Sequence, residues 1–248
     1  MTYLAECRNE WYSDGMEDAV IQFSDVTKRY GRKTALDAVT VSIPSKAIVG
    51  LLGPNGSGKT TMLKLAAGLL TPASGTVNVC GHKPGVVTKS LTAYQPDRVY
   101  LNDWMDVGGL CSMMKEFYDN FNQDKADDML KRLNISPHDK LKPMSKGTKE
   151  KVQLILTMSR DVPLYILDEP IGGVDPAARE YILNTIIANY QENATVLIST
   201  HLITDIEPVL NHFMFIKEGH IVRQGDVNAV REQEGKSIDE LFRDDFRC

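Results

Sequence analysis

The stretch Gly53-Pro54-Asn55-Gly56-Ser57-Gly58-Lys59-Thr60 decides how this chain is read. It matches the pattern GxxxxGK[ST] and lies between an apolar run, Ala47 to Leu52, and a segment of helical spacing, Thr60 to Leu70, that Pro72 stops. Glycines at these places let the backbone curl so that successive N–H groups face inward, toward phosphate oxygens. A helix starting near Thr60 adds the positive end of its dipole. Lys59 has the length to reach terminal phosphates, and the Thr60 hydroxyl, with Thr61 beside it, suits a bound Mg²⁺. With glycine at roughly 7% of residues, such a match arises by chance in about 1% of chains of this length. Nucleotide binding therefore outweighs an ordinary glycine-rich turn.

Working outward, the next informative segment is Leu164-Tyr165-Ile166-Leu167-Asp168-Glu169-Pro170, an apolar strand ending in two carboxylates. Alone it is a strand with a solvated end. Behind a phosphate loop it gains a purpose, because Mg²⁺ on a triphosphate needs a carboxylate beside it, and Asp168 suits that place. Glu169, one residue on, is placed to orient or deprotonate an attacking water.

The rest of the chain alternates between periods. Val20 to Phe23, Leu36 to Ile43, Gly75 to Cys80 and Thr195 to Ser199 read as strands, and Phe213 to Ile216 and Ile221 to Arg223 flank a hairpin signal at Glu218-Gly219. Helical spacing marks 148–159, 177–190 and a segment from about Ile203, and a last helix starts at Ser237, where Ser237 and Glu240 have capping-box spacing. Residues 99–143 differ: two helical segments, Asp106 to Tyr118 and Lys125 to Leu133, are closed by Pro137 and Pro143. They predict a helical subdomain, about 99–147, inserted in an α/β core. Strand and helix alternation predicts a mostly parallel sheet with helices on both faces. Residues 1–18, with five acidic side chains and little periodicity, read as an N-terminal extension, 19–225 as the main domain and 226–248 as a helical tail.

Composition narrows the class. Of the 248 residues 42% are hydrophobic and 25% charged, with a net charge of −5, which argues against a nucleic-acid binder. The four cysteines have no CxxC spacing, so unpaired thiols in a reducing compartment are expected. No apolar stretch approaches the ~20 residues that cross a bilayer, and the first residues lack a signal-peptide core. A cytoplasmic chain is expected, with any membrane role coming through a partner.

Taken together, the motifs from about Ala19 to Gly225 resemble an ATP-binding subunit of the ATP-binding cassette (ABC) family, of the bacterial exporter type. The resemblance implies a P-loop NTPase core with an N-terminal antiparallel β portion and the helical insertion. It also implies an ATPase that uses ATP and Mg²⁺. Asp175, in Gly172-Gly173-Val174-Asp175-Pro176, resembles the loop that links two subunits. His201, in Ser199-Thr200-His201, resembles the switch histidine at the γ-phosphate, and Tyr30, in Lys28-Arg29-Tyr30-Gly31, the aromatic that stacks on adenine. Met144-Ser145-Lys146-Gly147-Thr148 stands where the family has LSGGQ. In the family this segment grips the γ-phosphate of ATP held by a facing subunit, so two ATP molecules are buried in a head-to-tail dimer. As partners the resemblance implies a second ABC ATPase subunit, identical or homologous, and separate transmembrane permease subunits driven by the pair.

Two departures matter. Lys146 replaces a glycine and Thr148 a glutamine, while Ser145 and Gly147 remain; Lys146 either adds charge near the phosphate or points to solvent. In Tyr94-Gln95-Pro96-Asp97, the family's metal-side glutamine corresponds to Asp97 by position or to Gln95 by residue type, and both stay candidates. The alternative function, a soluble ABC-type ATPase acting on nucleic acid or ribosomes, fits less well. Forty-seven residues lie between Asp97 and Ser145, too few for the long coiled coil of chromosome-maintenance members, and the chain has one cassette where ribosome-acting members usually have two.

Overall fold

The computed structural model describes residues 19–172, 176–189 and 193–246. Asp175, with Gly173 and Val174, and the extension at 1–18 lie outside the described residues. Two sheets carry the fold. Strands β1 (Ala19–Tyr30) and β2 (Lys33–Pro44) form an antiparallel hairpin, and β4 (Ser74–Val79) pairs antiparallel with the other edge of β1. This three-stranded sheet is the expected N-terminal antiparallel portion.

The second sheet has six strands. At its centre is β3 (Ile48–Leu52), and the order is β5 (Thr92–Gln95), β6 (Leu164–Asp168), β7 (Thr195–Thr200), β3, β8 (His212–Lys217), β9 (His220–Asp226). The first five are parallel, and β9 closes the edge as the antiparallel arm of a hairpin. Strands β3, β6 and β7 are buried along their whole length, the condition of a parallel sheet covered on both faces. Because side chains alternate between faces, neighbours in one strand join different cores. Leu51 and Ile166 pack with Phe23, Leu36 and Met62 on one side; Leu52 and Leu167 pack with Val152, Ile155 and Phe213 on the other.

Helix α1 (Lys59–Ala66) covers the first face with the antiparallel sheet. Short α2 (Val86–Leu91) leads into β5. The inserted subdomain consists of α3 (Val107–Phe117), α4 (Gln123–Arg132) and the start of α5 (Lys146–Met158). Each has a side-chain cap: Asp106 accepts from Gly109 N at 2.8 Å, Asn122 from Lys125 N at 3.1 Å and Ser145 from Thr148 N at 3.2 Å. Helices α6 (Pro176–Asn189) and α7 (Ile203–Ile206) follow β6 and β7, and α8 (Val227–Glu234) and α9 (Ile238–Phe246) form the C-terminal segment. The Ser237–Glu240 capping box is formed, with Ser237 N donating to Glu240 Oε2 at 2.8 Å and Glu240 N to Ser237 Oγ at 3.2 Å. Among the described residues no helix is long and apolar enough to cross a membrane.

The structure differs from the sequence reading in three local places. Helix α1 ends at Ala66, four residues early, because Gly68 turns the chain with φ 66°. Residues 86–95 form a helix and an edge strand that periodicity does not signal, and α8 precedes the expected last helix.

Candidate functional site

The site forms where three parallel strands end side by side. β3 runs into the glycine loop, β6 ends at Asp168 and β7 leads to His201, so their C-terminal ends converge as the crevice of an open α/β sheet does. Pro54, Asn55 and Gly56 are exposed at the rim, and Ser57 and Lys59 are buried beneath them. Gly58 leads directly into α1 with φ 115°, a region closed to other residues, and a Cβ there would lie 2.7 Å from Ala35 O. A Cβ on Gly53 would meet Ile216 O at 2.4 Å, so this end of the loop is pinned against β8.

Lys59 lies across the loop. Its ammonium donates to Gly53 O at 2.7 Å and Pro54 O at 3.2 Å, and stands 3.4 Å from Glu169 Oε1. Asp168 Oδ1 accepts from Ser199 Oγ at 2.6 Å and from Thr60 Oγ1 at 3.2 Å. The carboxyl is fully buried, and burial pushes its pKa up; the hydroxyl bonds from Ser199 and Thr60 oppose this, while the charges of Asp97 and Glu169 add to it.

Glu169 has φ 49°, uncommon for a residue with a side chain. Its N–H is held by Ser199, to the backbone oxygen at 3.0 Å and to Oγ at 3.1 Å. That anchoring fixes its carboxylate between Lys59 on one side and His201 Nδ1, 3.0 Å from Oε2, on the other. Ser199 is thus a site residue that sequence reasoning passed over as part of a strand. It stands opposite Asp168 in the β6–β7 register, and only the pairing of the strands shows this.

Asp168 Oδ2 and Ser57 Oγ are buried with no hydrogen-bond partner, and Glu169 Oε1 has no hydrogen bond beyond its ion pair with Lys59. Buried polar groups are seldom left unbonded, so each such atom calls for an explanation. A glycine loop running into a helix N-terminus, a buried lysine, a hydroxyl–carboxylate pair and a spare carboxylate oxygen fit a nucleotide's phosphates and a divalent cation.

The other candidates are distributed as follows. Gln95 is buried at the end of β5 in register with Leu167, so it shares that residue's face and not the face of Ile166 and Asp168. Asp97, exposed beyond the strand, is near enough for its charge to raise the Asp168 pKa. Tyr30 is exposed at the end of the β1–β2 hairpin, with Lys28 Nζ 5.6 Å from its ring centroid. Ser145 caps α5, and its hydroxyl is 2.9 Å from Thr148 Oγ1. Lys146 is 75% exposed and pairs with Glu150 at 3.6 Å. Around Gly147 a Cβ would meet nothing within 4 Å, so this helix end is open. Among the described residues no hydrogen bond or ion pair joins 144–149 to the loop at 53–61.

A second feature is a groove of about 660 Å³ between the core and the helical subdomain, lined by Leu69, Tyr94, Tyr100, Met113, Phe117 and Arg160 among others. Arg160 lies 3.8 Å from the Tyr118 ring centroid and donates to Thr92 O at 2.7 Å and Ser90 O at 3.0 Å. Burial lowers its pKa to about 10.

Comparison with known proteins places these features in context. The ABC transporter family profile matches residues 36–172. An uncharacterized ABC transporter ATP-binding protein of Methanocaldococcus jannaschii is 32% identical over 216 residues, covering 85% of this chain and 79% of that protein. A Nod factor export ATP-binding protein of Paraburkholderia xenovorans is 29% identical over 239 residues, 93% of this chain and 79% of that one. Among solved structures, an ATP-binding subunit of an ABC transporter superposes with TM-score 0.80 at 26% identity, covering 91% of this chain and 98% of the other.

Proposed function

Because this chain belongs to the ABC transporter family and carries its ATPase domain, we propose that it is the ATP-hydrolysing motor subunit of a membrane exporter. It pairs head to tail with a second cassette, identical or homologous, and both act on separate permease subunits at the cytoplasmic face of the membrane. The observation that carries the reading is the continuous set of contacts Lys59–Glu169–His201 beside the Thr60–Asp168 pair.

In this reading Gly53 to Thr61 wrap the phosphates of ATP, and Lys59 exchanges its bonds to Gly53 O and Pro54 O for phosphate oxygens. Thr60 and Asp168 would hold Mg²⁺, which when bound neutralises charge on the β- and γ-phosphates. Asp97 is the better second candidate on the metal side, since Gln95 belongs to the opposite face of β5. Glu169 takes the proton of the attacking water, held for that by Ser199 and His201. Tyr30 stacks on adenine.

Ser145, Lys146 and Gly147 serve the ATP of the facing cassette, with Asp175 at the same junction. Support comes from the open N-terminus of α5, which has no bonded link to its own phosphate loop. ATP sandwiched in this way contacts both cassettes only when they are closed, and such differential affinity is what shifts a conformational balance. The groove, lined by the exposed Tyr100 and Phe117, suits a permease segment.

The test is purification from native membranes with mass identification of what accompanies the chain, together with an assay of Mg²⁺-dependent ATP turnover. A multi-span protein and turnover are expected. Recovery of ribosomes or DNA in its place would overturn the transport reading.

A further inference from the structure

Helix α5 buries two polar side chains between Val152 and Met158: Thr157, whose hydroxyl donates to Gln153 O within the helix, and Gln153. Gln153 stands between Val152 and Leu154 and is 1% exposed. A buried primary amide destabilises the fold unless its donors and acceptor are bonded. Here Oε1 accepts from Tyr100 N at 3.1 Å, and Nε2 donates to Pro96 O at 3.3 Å and Arg98 O at 3.4 Å. The amide orientation follows from its partners, since an N–H and two carbonyls can be satisfied only this way round.

All three partners are backbone groups of the short segment that leaves β5, and the two carbonyls flank Asp97. The same helix begins at its cap, Ser145, about 12 Å away at 1.5 Å per residue. Tyr100, whose amide is the third partner, lines the groove. One side chain therefore joins the loop that carries the metal-side candidate to the helix that carries the phosphate-gripping end.

We propose that Gln153 is a positioning residue that locks the Pro96–Tyr100 loop to α5, so that Asp97 and Ser145 move as one body. It touches neither nucleotide nor metal. Its action is to couple the alignment of this chain's own metal side with the alignment of what it offers the facing cassette. A displacement at Tyr100 in the groove reaches both through the same amide. The inference rests on the nucleotide reading above.

The test uses the full chain and two variants. Gln153→Leu keeps the volume and removes every bond; Gln153→Asn keeps the amide but is too short for all three partners. Measured are ATP binding in chelator, turnover against Mg²⁺ concentration, and hydrogen exchange at the Tyr100 amide. Expected for the Leu variant are chelator-state ATP affinity within about twofold of the parent, half-maximal Mg²⁺ raised about fivefold and kcat lowered about tenfold. The Tyr100 amide should exchange faster, and the Asn variant should fall between, which serves if the Leu variant does not fold. Parental Mg²⁺ dependence and kcat in either folded variant would overturn the inference alone. A parent chain that neither binds nor hydrolyses ATP would overturn the nucleotide reading and this inference with it.

Discussion

The Thr60 hydroxyl donates to Asp168 Oδ1 across 3.2 Å, joining the first turn of α1 to the end of β6 over 108 residues of chain. Ser199 reaches the same oxygen from β7 at 2.6 Å, which leaves Oδ2 buried and without a partner. A fully buried carboxylate with one oxygen spent on hydroxyls and the other spare is poised for a cation, and its cost in the metal-free protein is measurable.

That cost gives a pH prediction. The Asp168 pKa is raised in the folded chain, chiefly by burial, so between its unfolded and folded values the native state holds more protons than the unfolded one. Its contribution is favourable below the unfolded pKa and is lost as pH rises through the folded pKa. In chelator, Asp168→Asn should therefore raise the melting temperature at pH 7 and gain less near pH 4, while abolishing Mg²⁺-dependent turnover. Calorimetry at the two pH values checks the first part; an equal gain at both would remove the burial argument.

Glu169→Gln keeps the size and one acceptor oxygen but removes the base. ATP binding should persist, and hydrolysis should slow ~10³-fold, equivalent to roughly 4 kcal/mol of lost transition-state stabilisation. Paired cassettes should accumulate with ATP on size exclusion. Turnover at the parental rate would take the role away from Glu169.

Gly58→Ala places a Cβ at φ 115° and 2.7 Å from Ala35 O. A destabilisation of about 1–3 kcal/mol is expected, a fall in melting temperature of roughly 2–10 °C, together with lost ATP binding. Gly56→Ala, where a Cβ would meet nothing, should lower stability less despite its positive φ. Thermal melts of the pair, with and without ATP, compare steric crowding against backbone strain.

The glycine loop and the Asp168–Glu169 pair were legible in the sequence because each is written in consecutive residues with its own local physics. The parallel sheet followed from the alternation of strand and helix signals along the chain. What escaped reading was whatever tertiary pairing creates. Thr92-Ala93-Tyr94-Gln95 has too little apolar pattern to announce a strand and becomes one by pairing with β6. Ser199 gains its place only through the strand register that sets it opposite Asp168. Gln153 did leave a trace, a single amide in the run Val152 to Met158, but its partners lie more than 50 residues away in the chain.

The central claim is that the signature end of α5 completes a neighbour's site and not its own. Mixing two inactive variants tests it most directly. Lys59→Ala disables the phosphate loop, and Ser145→Arg blocks the signature end, so each alone should hydrolyse little ATP. In a self-paired cassette an equal mixture should regain turnover, because one of the two shared sites in a mixed pair carries neither change. Full turnover by Ser145→Arg alone, in material that sizing shows to be monomeric, would contradict the account.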